Sequence, residues 1–432
     1  MAKVSELFIQ YDTDKELVFK NIIEKTCKNL TSESKSTLRK KIFYEYDYVY
    51  PNSKYRSIEQ TFNNGTKINV LIIEKGLTTF ELNEGVLECF KEDIKTLNTI
   101  SYNIQCVTHK DQTRLVKSLS ALEELLRFEI PKFGKKRGQN RAKYKIESGY
   151  YTDIDSNEVD LLIKKSKVLA ENNNLARELC YLPPNHLDSR KYVARVNEMI
   201  AGRKDIKYEF YDVEKLKKLN ANLFLAVSQA DLDQGCGIVK LSYKPKSKNK
   251  TRKRVTLIGK GVVYDSGGLD LKTEGSLQGM HRDMTGSAVA LASFLSLVEN
   301  KVNLELNCYL PILENKISHN AYRTGDIIET MDGTAVEILN TDAEGRLAIA
   351  DSVLLAKKAR PHLIIDYATL TGTAIDALGG KMAATFTNDK NLEDIIKSSG
   401  EISGERVCNF PILSDIYRNI LDSEQADIKQ LT

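Results

Sequence analysis

The sequence predicts an α/β protein of two domains, a smaller N-terminal α/β domain over residues 1–160 and a larger C-terminal α/β domain over residues 161–432 with a mixed central sheet flanked by helices. Three observations predict it. A chain of 432 residues exceeds what one core ordinarily fills. Through the second half, short continuous apolar runs alternate with helical patterns, as expected of strands buried on both faces. Between the halves, residues 132–145 (KFGKKRGQNRAKYK) are polar, basic and glycine-containing, which suits a linker or exposed excursion.

Taken in order, Ile68 to Ile73 (INVLII) reads as a strand, and Leu115 to Phe128 carries leucines at helical spacing. A long helical pattern runs from Val159 through Ala176 and Leu179 and must stop at Pro183-Pro184. Strands are then expected at Phe224–Val227, Gly237–Tyr243, Val255–Ile258, Leu304–Leu310, Val336–Leu339 and Leu363–Asp366. Helices are expected at Ala288–Val298 and Leu347–Ala359.

Composition narrows the class. With 41% hydrophobic and 28% charged residues the chain has the make-up of a soluble globular protein. A net charge of +4 is small for this length and argues against a dedicated nucleic-acid or membrane-surface binder. Residues Met1 to Gln10 hold no sustained apolar run and no stretch of eighteen apolar residues occurs, so neither a secretory signal nor a membrane span is expected. The seven cysteines are scattered and never form a CxxC pair, which fits free thiols in a reducing, cytoplasmic setting. One basic run, Lys244 to Arg254 (KPKSKNKTRKR), reads as a solvated hairpin tip between two strands, with a nucleic-acid patch as the other reading.

The chemistry concentrates where strands give way to loops. Strand 255–258 leads into Gly259-Lys260-Gly261, whose glycines suit a sharp turn or a close approach, and then into Asp265-Ser266-Gly267-Gly268 and Lys272. Asp283 follows in His281-Arg282-Asp283-Met284, and Asn340-Thr341-Asp342-Ala343-Glu344-Gly345-Arg346-Leu347 lies at a later strand-to-helix junction. Strand ends in an α/β sheet are where ligand sites form. Asp265, Asp283, Asp342 and Glu344 beside Lys260, Lys272 and Arg346 are either separate surface acids or an oxygen-rich site suited to divalent ions. HExxH and GxSxG motifs are absent, the five histidines are dispersed, and Ser266 has no evident His and Asp partners.

The octapeptide 340–347 resembles the signature of the leucine aminopeptidase (cytosol aminopeptidase) family, and Gly259-Lys260-Gly261 with Asp265-Ser266-Gly267-Gly268 and Lys272 is similar to that family's other active-site stretch. Weaker matches follow in family order: Asn174-Leu175-Ala176-Arg177 with Pro183-Pro184-Asn185, Tyr322-Arg323 with Gly325-Asp326, and Ala368-Thr369-Leu370-Thr371-Gly372. The resemblance covers roughly residues 165–432. It implies that the C-terminal domain is catalytic and the N-terminal one serves assembly or regulation. It also implies a cytoplasmic homo-hexamer that uses two divalent ions per chain, Mn or Zn with Mg or Co as alternatives, to release N-terminal amino acids from peptides with a free N-terminus. Lys260, Asp265, Asp283 and Glu344 would hold one metal, and Asp265, Asp342 and Glu344 the other. Lys272 and Arg346 match the catalytic cations, Arg346 the one that holds bicarbonate. A lysine ligates metal only as the neutral amine, so Lys260 is expected to have a strongly depressed pKa, driven by metal charge and desolvation. His281 matches no family ligand.

Thr324 stands where many relatives have proline and Cys408 where they often have a large aromatic. The family continues for several dozen residues past the region matching Ser423 to Asp427, whereas this sequence stops at Thr432, so a fragment or a variant with weakened activity is expected. Two alternatives stand beside the aminopeptidase. One is a non-catalytic or DNA-binding protein retaining the fold, motivated by the basic run; the other is a specialised dipeptidase, such as one acting on cysteinylglycine.

Overall fold

The structure, a computed structural model, describes residues 4–11, 20, 32–44, 55–61, 67–96, 99–137, 147–231, 235–246, 252–273, 275–413, 415, 418 and 421–431. It divides into two compact units, residues 1–171 with 374–412 and residues 172–373 with 413–432. The line between them falls inside one helix, where the sequence reading placed a single cut near residue 160.

The first unit is built on β1 (Val4–Tyr11), α1 (Ser32–Tyr44), β2 (Tyr55–Thr61), β3 (Lys67–Ile73), α2 (Thr79–Thr96), β4 (Thr99–Cys106), α3 (His109–Leu125) and β5 (Glu147–Tyr151). Its sheet has the order β2-β3-β1-β4-β5, all neighbours parallel except β2 with β3. Leu82, Val86 and Phe90 of α2 and Leu115, Val116 and Leu119 of α3 share one core with Ile9, Leu71, Ile100 and Tyr102 of the strands. Their spacing of three and four is the stripe that a half-buried helix needs. Of the basic excursion, 132–137 ends in a short 3-10 turn, Gly134–Lys136, and residues 138–145 lie outside the described residues.

The second unit follows with α4 (Ser156–Tyr181), which spans both units, α5 (Ser189–Ile200), β6 (Ile206–Tyr211), α6 (Val213–Lys218), α7 (Asn222–Ser228), β7 (Gly237–Tyr243), β8 (Arg254–Gly259), β9 (Gly261–Asp265), α8 (Thr285–Glu299), β10 (Glu305–Asn315), β11 (Ile327–Glu329), β12 (Ala335–Glu337), α9 (Glu344–Lys357) and β13 (Leu363–Tyr367). The main sheet runs β13-β8-β10-β7-β6, with β9 also paired to β10. It is mixed: β13, β8, β9 and β10 are parallel, whereas β7 is antiparallel to β10 and β6.

Alternate residues of the central strands enter opposite cores. Leu306, Cys308 and Leu310 of β10 meet α5 and α8, while Tyr309 and Leu313 meet α7 and α9. Both faces are therefore buried, which is why these strands read as continuous apolar runs rather than alternating ones. The late segment holds α10 (Thr373–Leu378), β14 (Ala383–Thr385), α11 (Asn391–Ser403) and β15 (Val407–Asn409), with β14 parallel to β15. Near the chain end, β16 (Ile428–Lys429) pairs with β12. No helix among the described residues is long and apolar enough to cross a membrane. Residues 247–251 of the basic run lie outside the described residues.

One expected strand is a helix. Phe224–Val227 belongs to α7, whose N-cap Ala221 supplies no side-chain cap. The buried Asp351 of α9 does so instead, its Oδ2 accepting from Phe224 N at 2.8 Å. A carboxylate 127 residues away thus satisfies a helix-start amide. Burial pushes the Asp351 carboxyl up to about 7 although these amides pull it down. A folded pKa above the unfolded value gives stability that is complete below about 3.9 and lost as pH rises through about 7. In Asp351→Asn the proton-linked loss disappears, so thermal melts should show the melting temperature of the variant minus that of wild type climbing from pH 4 to 8 and levelling above. A difference independent of pH would contradict this.

Candidate metal centre

Three parallel strand ends bring the site together. Lys260 sits between β8 and β9, its amide donating to Tyr367 O at the end of β13 at 2.9 Å and its carbonyl accepting from Ser287 N of α8 at 2.8 Å. The strand does not turn sharply at Gly259-Lys260-Gly261. A Cβ on Gly259 would lie 2.5 Å from Gly286 O and one on Gly261 2.5 Å from Pro311 O, so these glycines serve close approach. Asp265 ends β9, and the turn after it uses left-handed backbone at Gly267 (φ 89°) and Gly268 (φ 69°). Asp283 precedes α8, and Glu344 and Arg346 lie in the first turn of α9.

Lys260 Nζ lies 2.8 Å from Asp283 Oδ2 and 2.8 Å from Glu344 Oε1, and donates to Thr369 O at 3.0 Å. Lys272 Nζ lies 2.8 Å from Asp265 Oδ2 and pairs with Asp342 Oδ1. One oxygen each from Asp265, Asp342 and Glu344 falls within 4.8 Å of the others. Asp283 stands one lysine away from this trio and is oriented by Thr369 Oγ1, which donates to its Oδ1 at 2.7 Å. Every residue singled out from sequence for this site is therefore in one neighbourhood except Arg346, which is turned to Gln430, its Nη1 donating to the main-chain carbonyl at 3.2 Å. His281 contributes no atom to the trio, and Ser266 is spent on Asn315, its Oγ donating to that carbonyl at 2.7 Å.

Lys260 and Asp265 are each 3% exposed and Glu344 1%. Burial, reinforced by Asp265 and Asp283 against the pull of Lys260, pushes the Glu344 carboxyl up to about 8. Burial likewise raises Asp283 and Asp342. For Lys260, desolvation lowers the pKa, but Glu344 and Asp283 outweigh it and the net shift from the protein's own groups is upward, whereas the depression expected from sequence includes the charge of a bound metal. Among the protein's own charges the amine is an ammonium. The donor set fits divalent ions on its own chemistry: Glu344 Oε2 is buried without a hydrogen-bond partner, and carboxylates in excess of lysines face one another. Gly345 is required here, since a Cβ on it would lie 2.7 Å from Lys260 Nζ.

The sequence reading gave no role to the uncharged residues that hold these charges, Thr341 and Tyr322 within its motifs and Gln430 outside them. Thr341 Oγ1 donates to Gly267 O at 2.6 Å, and Tyr322 Oη donates to Thr341 O at 2.7 Å. Gln430 holds the octapeptide loop: its Oε1 accepts from Leu339 N at 3.1 Å and Asn340 N at 3.2 Å, and its Nε2 donates to Ala343 O at 2.9 Å. No motif flags a glutamine 90 residues away. Removing these bonds in Gln430→Ala should cost about 1–3 kcal/mol of metal-free stability in urea denaturation. Equal stability of Gln430→Ala and wild type would contradict this.

Comparison with known proteins places this geometry. The catalytic-domain model of the cytosol aminopeptidase family matches residues 174–432. A probable cytosol aminopeptidase of Chlorobaculum tepidum is 39% identical over 266 residues, 61% of this chain and 52% of that protein, so the match spans about half the relative's length. One of Clostridium tetani is 32% identical over 361 residues, 82% of this chain and 73% of the relative. A solved structure described as the bottromycin maturation enzyme BotP in complex with Mn shares the fold, with a TM-score of 0.75 over 100% of this chain and 86% of that one at 23% identity. The family match begins at the helix leading into the second unit and takes in every residue of the lysine and carboxylate cluster, and the chain belongs to the cytosol aminopeptidase family.

Proposed function

We propose that the chain is a metal-dependent aminopeptidase that releases N-terminal amino acids, leucine among them, from peptides. The observation that carries this is the pairing of Lys260 with Asp283 and Glu344 and of Lys272 with Asp265 and Asp342, with oxygens of Asp265, Asp342 and Glu344 within 4.8 Å of one another and Glu344 Oε2 buried without a partner. Lys260, Asp265, Asp283 and Glu344 would hold one divalent ion and Asp265, Asp342 and Glu344 the other. Mn is favoured by the complex described for the fold relative, with Zn, Mg or Co meeting the same donors. Ions held there supply Lewis-acid polarisation of a peptide carbonyl and a lowered pKa for water.

The chain's own residues supply the rest. The Lys272 pKa is raised because Asp265 and Asp342 outweigh its desolvation, so it stays an ammonium at neutral pH. A fixed positive charge at the cluster edge stabilises negative charge growing on a carbonyl oxygen. Arg346 is half-buried, and its Nε has no hydrogen-bond partner. A guanidinium so placed fits a small anion such as bicarbonate, which would serve as proton acceptor. The free α-amine of a substrate would bind at one of these ions, which would restrict cleavage to the first residue.

Stripping the purified chain with a chelator should abolish release of leucine from leucine-p-nitroanilide, and adding back Mn or Zn should restore it together with two ions per chain by elemental analysis. Full hydrolysis after complete stripping, or a loaded and folded chain that hydrolyses nothing, would overturn the proposal.

A further inference from the structure

The groups that set the angle of the carboxylates matter as much as the carboxylates themselves, and one residue touches both loops that carry them. Asn315 closes β10, and its register partner on β9 is Asp265. It is 1% exposed. Its Nδ2 donates to Asp265 Oδ1 at 2.8 Å and to Thr341 O at 3.0 Å, so one amide links the Asp265 loop to the Asp342–Glu344 loop. Its main-chain carbonyl accepts from Ser266 N at 3.2 Å and Ser266 Oγ at 2.7 Å, which anchors the turn behind Asp265.

The amide orientation follows from its neighbours, because both partners only accept and the nitrogen must face them. Asp265 Oδ1 also receives Gly267 N at 2.9 Å and is thereby filled by two donors. Its other oxygen, Oδ2, is the one turned toward Lys272 and the cluster.

We propose that Asn315 is a positioning residue that fixes which oxygen of Asp265 faces the cluster and the distance between the two carboxylate-bearing loops, so that the site is assembled before a cation enters. The inference rests on the metal-centre reading above. An aspartate at 315 would turn acceptors toward two acceptors about 3 Å away, so the neutral donor is what the place requires. Partners of this kind that orient ligands contribute about 10- to 100-fold to metal affinity.

The test is calorimetric titration of Mn into metal-stripped full chain at pH 8, with folding of each variant checked by near-UV circular dichroism. Asn315→Ala should bind Mn about 10- to 100-fold more weakly than wild type. Asn315→Ser, which keeps one donor, should fall between them. Asn315→Asp should also bind more weakly although it is nearly isosteric and adds a negative charge, which by simple attraction would tighten a cation. Wild-type or tighter affinity in Asn315→Asp would overturn the proposal, as would wild-type affinity in Asn315→Ser should Asn315→Ala fail to fold. A wild-type chain that takes up no Mn overturns the metal-centre reading itself, whereas one that binds Mn alongside variants of equal affinity overturns only the role of Asn315.

Discussion

Asp265, Asp283 and Glu344 are buried and Asp342 is half-buried at the edge of the cluster, with Lys260 set between Asp283 and Glu344 and Lys272 between Asp265 and Asp342. Such an arrangement is a poor means of stabilising a fold. Desolvating several charges costs more than their pairing returns, and apolar residues of the same volume would serve stability better. Burial, the largest cause in each case, pushes Glu344 up to about 8 and raises Asp283 and Asp342 as well, and the neighbouring Asp265 adds to all three. Carboxylates gathered together in excess of the lysines between them are a donor set that a divalent ion would satisfy.

The rest of the second unit is arranged to hold these charges still. Parallel β8, β9, β10 and β13 present their ends together, so that Lys260, Asp265, Asn315 and Tyr367 are neighbours through strand pairing rather than through side-chain contact alone. Helices buried against both faces leave the sheet little freedom. The octapeptide loop lies on no strand, and its restraint comes from single polar residues: Thr341, Tyr322 and Gln430. The short pairing of β16 with β12 brings Gln430 under the loop, so the last described residues of the chain belong to the support of the site.

Much of this was legible in the sequence, for definite physical reasons. Gly237–Tyr243 is a strand over the residues read from its apolar run, because both of its faces are buried and no turn signal interrupts it. The charged site residues were legible because strand-to-helix junctions gather ligands and because the octapeptide is distinctive. Phe224–Val227 was misread as a strand: four apolar residues fit either state, and the cap that decides for helix comes from Asp351 on another element. Asn315 and Gln430 were illegible for a related reason. A neutral amide leaves no mark of spacing or charge, and its partners are distant in sequence: 50 positions for Asn315 to Asp265 and 87 for Gln430 to Ala343. For Lys260 position was legible, while the opposing pulls on its protonation, burial downward and Asp283 and Glu344 upward, depend on partners distant in sequence.

That protonation state links the architecture to its proposed chemistry. An ammonium between two acids must become a free amine, and Glu344 an ionised carboxylate, before either can bind an ion. On the proposed metal assignment, loading the site would exchange protons for cations. Calorimetry of Mn binding at pH 7 in buffers of different ionisation enthalpy measures that exchange directly. The account predicts an apparent binding enthalpy that varies with the buffer, corresponding to release of about one to two protons per chain, with a smaller release above pH 8 once Glu344 has ionised. An enthalpy independent of the buffer would mean that Mn displaces no proton from Lys260 or Glu344, and would contradict it.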